Sequence, residues 1–176
     1  MYNFNNETHE YILFMDIEFD QLNLVQFCGV LLRRLDSSNY VIYRSLNAYV
    51  QCKVSKYFMR YTGIENDFLE RYGVTISDVR SQIQDELLAG VDGNKLLVVS
   101  HGVNGDLHIL EENGIDIKHS ATFCTFEKAK KILKRKDTLT LEDLCFECGV
   151  YPVQEHNAYI DTWLTLACFD YLKNME

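Results

Sequence analysis

Asp16-Ile17-Glu18 places two carboxylates two residues apart at the end of an apolar run, Tyr11-Ile-Leu-Phe-Met15. In a strand, residues two apart point to the same face, so both acids leave one side of a sheet together. Like charges held that close beside apolar sequence repel unless protons or cations compensate them. A hard divalent cation with oxygen ligands is the natural compensation. An Asp-x-Glu pair is also the ordinary solvated edge of a strand, so the chemistry needs further acids.

Two other segments offer them. Asp106 follows the apolar run that ends at Ser100 and the turn His101-Gly-Val-Asn-Gly105, where it either joins such a site or caps a helix. His156 and Asp161 stand five positions apart in the last apolar segment, about 500 degrees of helical rotation, with Ala158 keeping the surface between them thin. A lone histidine near a helix end is also commonly structural. Taken jointly, Asp16, Glu18, Asp106, Asp161 and His156 each end a strong core element, which is what a two-metal hydrolytic site requires. Two cations about 3.5 to 4 Å apart bind the attacking and leaving oxygens of a phosphodiester displacement. An imidazole that titrates near working pH takes the proton of the attacking water.

The elements that must position these groups follow from the apolar pattern. Strands are expected at residues 11–17, 24–33 and 40–49, joined by short polar turns into an antiparallel meander. Helical sequence follows at 55–61, is interrupted by Thr62-Gly63-Ile64, and resumes at 75–88 behind the capping pattern Thr75-x-x-Asp78. The continuous apolar run 95–100 reads as a central strand, 107–113 as a helix stopped by Gly114, and 120–125 as a fifth strand. Helices at 127–137, 140–148 and 156–174 complete an α/β domain with a mixed five-stranded sheet, three antiparallel strands then two parallel, flanked by helices. Residues 1–10 are expected to form a short N-terminal arm and 11–176 a single domain.

Composition bounds the partners. The 176 residues are enough for one domain with a substantial core, and no basic-then-apolar leader or run of about 18 apolar residues stands in the sequence. A cytoplasmic protein without a membrane partner is expected. The net charge of -9 argues against broad wrapping of nucleic acid but is compatible with a small site gripping one strand end through metals. Residues 127–137 hold six basic and two acidic side chains, a solvated lysine face or, alternatively, a phosphate-contacting one. The six cysteines sit mostly among apolar neighbours, which suits reduced thiols. Cys145-x-x-Cys148 has zinc-like spacing without a second pair to answer it, and reads as buried helix thiols. The acidic, cysteine-bearing surface leaves a homodimer contact open.

With these residues in view, the sequence resembles the DnaQ-like, or DEDDh, 3'-to-5' exonucleases of the ribonuclease H-like fold, from about residue 11 to 172. The resemblance rests on Asp16-Ile17-Glu18, on His101 with Asp106 five positions later, and on His156-Asn-Ala158-Tyr-Ile-Asp161. Thr62-Gly63-Ile64 and the helix Leu141 to Gly149 also match family features. The resemblance implies two divalent cations, magnesium or manganese. Asp16 would bridge both, Glu18 and Asp161 would hold the one that activates water, and Asp106 would support the other. It implies His156 as general base, and substrate contacts from Ile17, Phe19 and His101. The implied partner is the 3' end of single-stranded DNA, RNA or a short oligonucleotide, with nucleoside 5'-monophosphates as products.

Four positions depart from the family pattern. Phe19 replaces a common Thr, and either stacks on the terminal base or belongs to the core. Gly102 and Gly105 replace a common Asn and a common aromatic, and Cys124-Thr125 replaces an Asp-Thr pair. These departures keep open a catalytically weak nucleic-acid-binding or interaction module on the same fold, and a phosphatase or phosphodiesterase acting on mononucleotides.

Overall fold

The computed structural model describes residues 1–4, 7–134, 139–151 and 156–175. Among them runs a six-stranded sheet in the order β1-β4-β3-β2-β5-β6. Its strands are β1 (Tyr2–Asn3), β2 (Tyr11–Asp20), β3 (Asn23–Arg34), β4 (Asn39–Tyr49), β5 (Leu96–Ser100) and β6 (Ala121–Cys124). The expected meander is present, with β2, β3 and β4 antiparallel, and β5 and β6 adding in parallel beside β2. The helices are α1 (Lys56–Thr62), α2 (Asn66–Tyr72), α3 (Ile76–Ser81), α4 (Val103–Glu112), α5 (Thr125–Ile132), α6 (Leu141–Glu147) and α7 (Ala158–Asn174).

β2 is buried on both faces, and its period of two divides the core. Leu13, Met15 and Ile17 pack with Val79, Ile83, Ile109 and Leu110, whereas Ile12 and Phe14 pack with Leu166 and Phe169 of α7. The capping signal acts as read, with Thr75 and Asp78 forming a capping box, and Thr140 and Asp143 form a second one ahead of α6. α3 continues as a π-helical segment, Gln82–Leu87. In the basic stretch, whose residues 135–138 lie outside the described residues, Ala129 is buried and Ile132 and Leu133 are partly buried. No helix among the described residues is long and apolar enough to cross a membrane.

The sheet departs from expectation in having six strands rather than five. The sixth, β1, comes from the polar N-terminal segment and pairs with the start of β4. It is held by Phe4, only 1% exposed, whose ring meets those of Phe14, Tyr40 and Phe169. Tyr40 Oη donates to the His9 carbonyl at 2.7 Å. Buried Glu7 takes His9 Nδ1 at 2.6 Å and lies 3.5 Å from Lys173 Nζ. One aromatic among polar residues has no periodicity to reveal it, so the sequence concealed this anchor. Phe4→Ala should cost about 3 kcal/mol in urea unfolding; a change below about 1 kcal/mol would mean that the segment does not contribute to the core.

Two boundaries also move. α4 starts at Val103 rather than at Leu107, and α7 starts at Ala158 rather than at His156. In addition α2 forms where no helix was expected, its last turn closed by the Gly73 N–H on the Leu69 carbonyl.

Candidate active site

The site follows from the pleat of β2. Ile12 and Phe14 lie under α7, and the next two residues on that face are Asp16 and Glu18. They therefore meet the first turn of α7, where Asp161 sits. Ligand oxygens of Asp16, Glu18 and Asp161 all lie within 4.8 Å of one another. The Asn157 side chain caps α7 by accepting from the Tyr159 N–H, and the partial positive charge of a helix start favours Asp161 as a carboxylate. Asp106 lies in the first turn of α4, just past β5, and accepts a hydrogen bond from the Ser100 hydroxyl. It stands outside the three-acid group, although its charge reaches both Asp16 and Glu18.

Burial and mutual repulsion dominate the electrostatics of the acids. Burial, then the charges of Asp106, Asp161 and Glu18, pushes the Asp16 carboxyl well above the usual range. Glu18 is pushed up to about 8 by burial first and by Asp161 and Asp106 after it. Burial raises Asp106 to about 6 against the lowering effect of its Ser100 bond. An all-oxygen donor set with this excess of negative charge fits a hard divalent cation such as magnesium or manganese.

The other expected residues surround the acids in different ways. His156 precedes α7 in a left-handed backbone conformation, φ 56°, and its ring stacks on Tyr61 with centroids 3.7 Å apart and planes 27° from parallel. His101 is engaged at both ring nitrogens: Nδ1 lies 2.9 Å from Thr125 Oγ1 and Nε2 lies 3.0 Å from the Leu139 carbonyl. Donation from Nε2 to that carbonyl leaves Nδ1 to accept the threonine hydroxyl, the pattern of a neutral ring, and burial lowers its pKa. Ile17 is buried in the core. Phe19 is 43% exposed, so of its two readings the core one does not hold. A Cβ at Gly102 or Gly105 would meet nothing within 4 Å, so packing within the fold requires neither glycine.

A family model described as exonuclease, that of RNase T, matches residues 14–169. The chain belongs to the RNase T exonuclease family. It is thus DnaQ-like, in the ribonuclease H-like superfamily. No curated protein sequence matches it significantly. Cell-death related nuclease 4 shares its fold with a TM-score of 0.72 at 17% identity, over 95% of this chain and 64% of that one. The zinc-bound Escherichia coli exonuclease I–ssDNA complex gives 0.71 at 16% identity, over 95% and 41%. A 3'-exonuclease solved with specific recognition of the histone mRNA stem-loop gives 0.71 at 16%, over 98% and 66%. The chain therefore spans less than two thirds of each of these proteins, and identities this low speak for fold alone.

Two residues of this exonuclease domain escaped the sequence reading. Tyr61 stands directly before Thr62-Gly63-Ile64, and nothing local marks it as the partner of a ring nearly a hundred residues away. Gln26 is fully buried on β3, opposite Glu18. Its Nε2 donates to Asn47 Oδ1 at 2.9 Å and Tyr49 Oη at 3.1 Å, and its Oε1 accepts from the Ala158 N–H at 3.3 Å. Thr162 Oγ1 adds a bond to the Cys28 carbonyl at 3.4 Å. Together they dock the first turn of α7, and hence Asp161, on the strand beside Glu18. A glutamine inside the apolar run Leu24-Val-Gln-Phe-Cys28 was the available signal, since a buried polar side chain implies partners. Gln26→Leu strands the Ala158 N–H and the Asn47 and Tyr49 groups, at about 1 to 3 kcal/mol for each group left unsatisfied. It should weaken manganese binding measured by calorimetry; unchanged affinity would show that Asp161 keeps its place without this tether.

Proposed function

We propose that the chain is a metal-dependent 3'-to-5' exonuclease that removes nucleoside 5'-monophosphates from single-stranded DNA or RNA or from short oligonucleotides. The observation that carries the reading is the convergence of Asp16, Glu18 and Asp161 from two distant elements, with His156 just ahead of the helix that brings Asp161. In this reading Asp16, Glu18 and Asp161 hold divalent cations, with Asp106 as supporting ligand to a second one. When bound, such cations supply Lewis-acid polarisation of the scissile phosphate and a more acidic water.

The remaining work falls to the chain itself. His156 accepts the proton of the attacking water on a ring nitrogen, and Tyr61 holds the imidazole by its face. Phe19, exposed just beyond Glu18, stacks on the terminal base. Ile17 contributes through its backbone between the two acids, its side chain being held in the core, and His101 acts on the substrate side by fixing the turn that leads to Asp106. Phe19→Ala should weaken binding by about 1 to 3 kcal/mol for single strands, read as a rise in KM on a short oligonucleotide; an unchanged KM removes Phe19 from the substrate site.

The reading as a whole is tested with a 5'-labelled single-stranded oligonucleotide and manganese. A ladder shortening from the 3' end, with nucleoside 5'-monophosphate released, supports it. Internal nicks or 5' release overturn it. The Ser100 hydroxyl on the Asp106 carboxylate favours a second reading, a strand-binding module with weak turnover. Retained strand binding without any shortening would establish that alternative.

A further inference from the structure

Tyr49, Phe68 and Tyr72 make an aromatic run that starts beside the acids and leads away from them. Glu18 on β2 faces Gln26 on β3, which in turn faces Tyr49 on β4, so the three side chains stand in one row on one face of the sheet. Gln26 Nε2 ties the row together by donating to Tyr49 Oη at 3.1 Å. Two inter-strand steps put Tyr49 roughly 10 Å from Glu18. From there α2 carries the run outward. The Phe68 ring meets Tyr49 edge to face with centroids 4.8 Å apart, and Tyr72, one turn later on α2, has its centroid 5.1 Å from that of Phe68.

The core does not account for the two outer rings. Leu69 is the buried side chain of α2, docked among Val25, Val54, Phe58 and Ile64, whereas Phe68 is 37% and Tyr72 60% exposed. Neighbouring exposed aromatics with a polar rim mark a contact surface. The rim includes Arg71, whose Cζ lies 6.0 Å from the Tyr72 ring centroid.

We infer that Tyr49, Phe68 and Tyr72 form a stacking track for the bases that precede the terminal nucleotide of a single strand, with Arg71 beside its backbone. The inference rests on the exonuclease reading of the acids and names subsites that extend it. Continuity with the acids selects the occupant. A strand whose end is seated at Glu18 advances by about 3.4 Å or more per nucleotide, so the next few bases come over rings that begin roughly 10 Å away. Charge gives little help there, because the chain carries -9 and α2 sets Asp67 and Glu70 beside Arg71. Aromatic faces supply a grip that does not depend on charge and accepts any base.

The test measures binding of unlabelled octathymidylate and dithymidylate by isothermal calorimetry in manganese. It uses the full chain carrying His156→Ala, so that the strands outlast the titration. The octamer should bind more tightly than the dimer. Adding Tyr72→Ala or Phe68→Ala should weaken the octamer roughly tenfold and leave the dimer within about twofold. Tyr72→Phe, which keeps the ring, should hold the octamer as the parent does. The loss in Tyr72→Ala should be equal at low and high salt, whereas Arg71→Gln should flatten the slope of log affinity on log salt by about 0.7. An octamer held no more tightly than the dimer, equal losses on both lengths, or unchanged octamer affinity in Tyr72→Ala would each overturn the track. Tyr72→Ala, at an exposed position, decides alone if Phe68→Ala does not fold. Failure of the exonuclease reading shows elsewhere, as a wild type that does not shorten strands from the 3' end.

Discussion

Asp16→Asn is expected to lower the rate of strand shortening roughly a thousandfold while raising the melting temperature of the metal-free protein at pH 8. The first effect follows from losing the carboxylate at the centre of the cluster, since metal stabilisation of transition-state charge is worth several kcal/mol and each 1.4 kcal/mol is tenfold in rate. The second follows from linkage. Asp16, Glu18 and Asp106 are all raised above ordinary carboxyl values, by burial first. The folded state therefore holds protons that the unfolded chain releases. Their contribution is fully present below the unfolded carboxyl range near pH 4 and is lost as pH rises through the folded values, which for Glu18 means up to about 8. The metal-free wild type should accordingly lose stability between pH 5 and pH 8, by on the order of a few kcal/mol. Manganese should restore it. In Asp16→Asn the slope should flatten and the response to manganese should shrink. Differential scanning calorimetry in chelator and in manganese checks both. A wild-type melting temperature that is level across this range, or a variant that still responds fully to manganese, would remove the cation site.

His156→Ala should separate chemistry from ion binding. A positioned general base contributes about 10² to 10⁴ in rate, so kcat should fall by that factor while the manganese-induced rise in melting temperature stays. The imidazole is placed by two features: the left-handed backbone at φ 56° and the face of Tyr61. Left-handed geometry is costly for a residue with a Cβ and persists only where its surroundings impose it. Tyr61→Ala should consequently lower kcat by a smaller factor than His156→Ala. Equal losses would mean that the ring cannot find its working position without the tyrosine; loss of the manganese response in His156→Ala would recast the histidine as a support of the ion site rather than a base.

The core and the acids were legible in the sequence for the same reason. A period of two runs unbroken from Ile12 through Glu18, so the pattern that buries Ile12 and Phe14 also aims Asp16 and Glu18. The capping box at Thr75 was legible because it is a local hydrogen-bond pattern with a fixed spacing. Long-range partnerships were not. The pairing of Tyr61 with His156, the tether from Gln26 to Ala158, and the burial of Phe4 under α7 join residues whose neighbours in sequence carry no trace of the partner. His101 adds a partnership of the same kind, since both its ring nitrogens are engaged, by Thr125 and by the Leu139 carbonyl. The sixth strand escaped for want of length, since two residues cannot display alternation.

The register shift between Glu18 and Phe19 has one more bearing on this architecture. Glu18 faces Gln26 and Phe19 faces Leu24, so Val25 is the surplus residue on β3, and its side chain enters a separate cluster with Val54, Phe58, Ile64 and Leu69. Everything before that step is locked in phase with Asp16 and Glu18, and everything after it, including Phe19 and the Asp20 carboxylate that receives the Ser55 N–H at 2.6 Å, keeps its own phase. The strand is in effect two rulers joined at a vernier. Side chains beyond the bulge can be changed without shifting the phase of Asp16 and Glu18, whereas deleting Val25 would rotate one half against the other and misalign both.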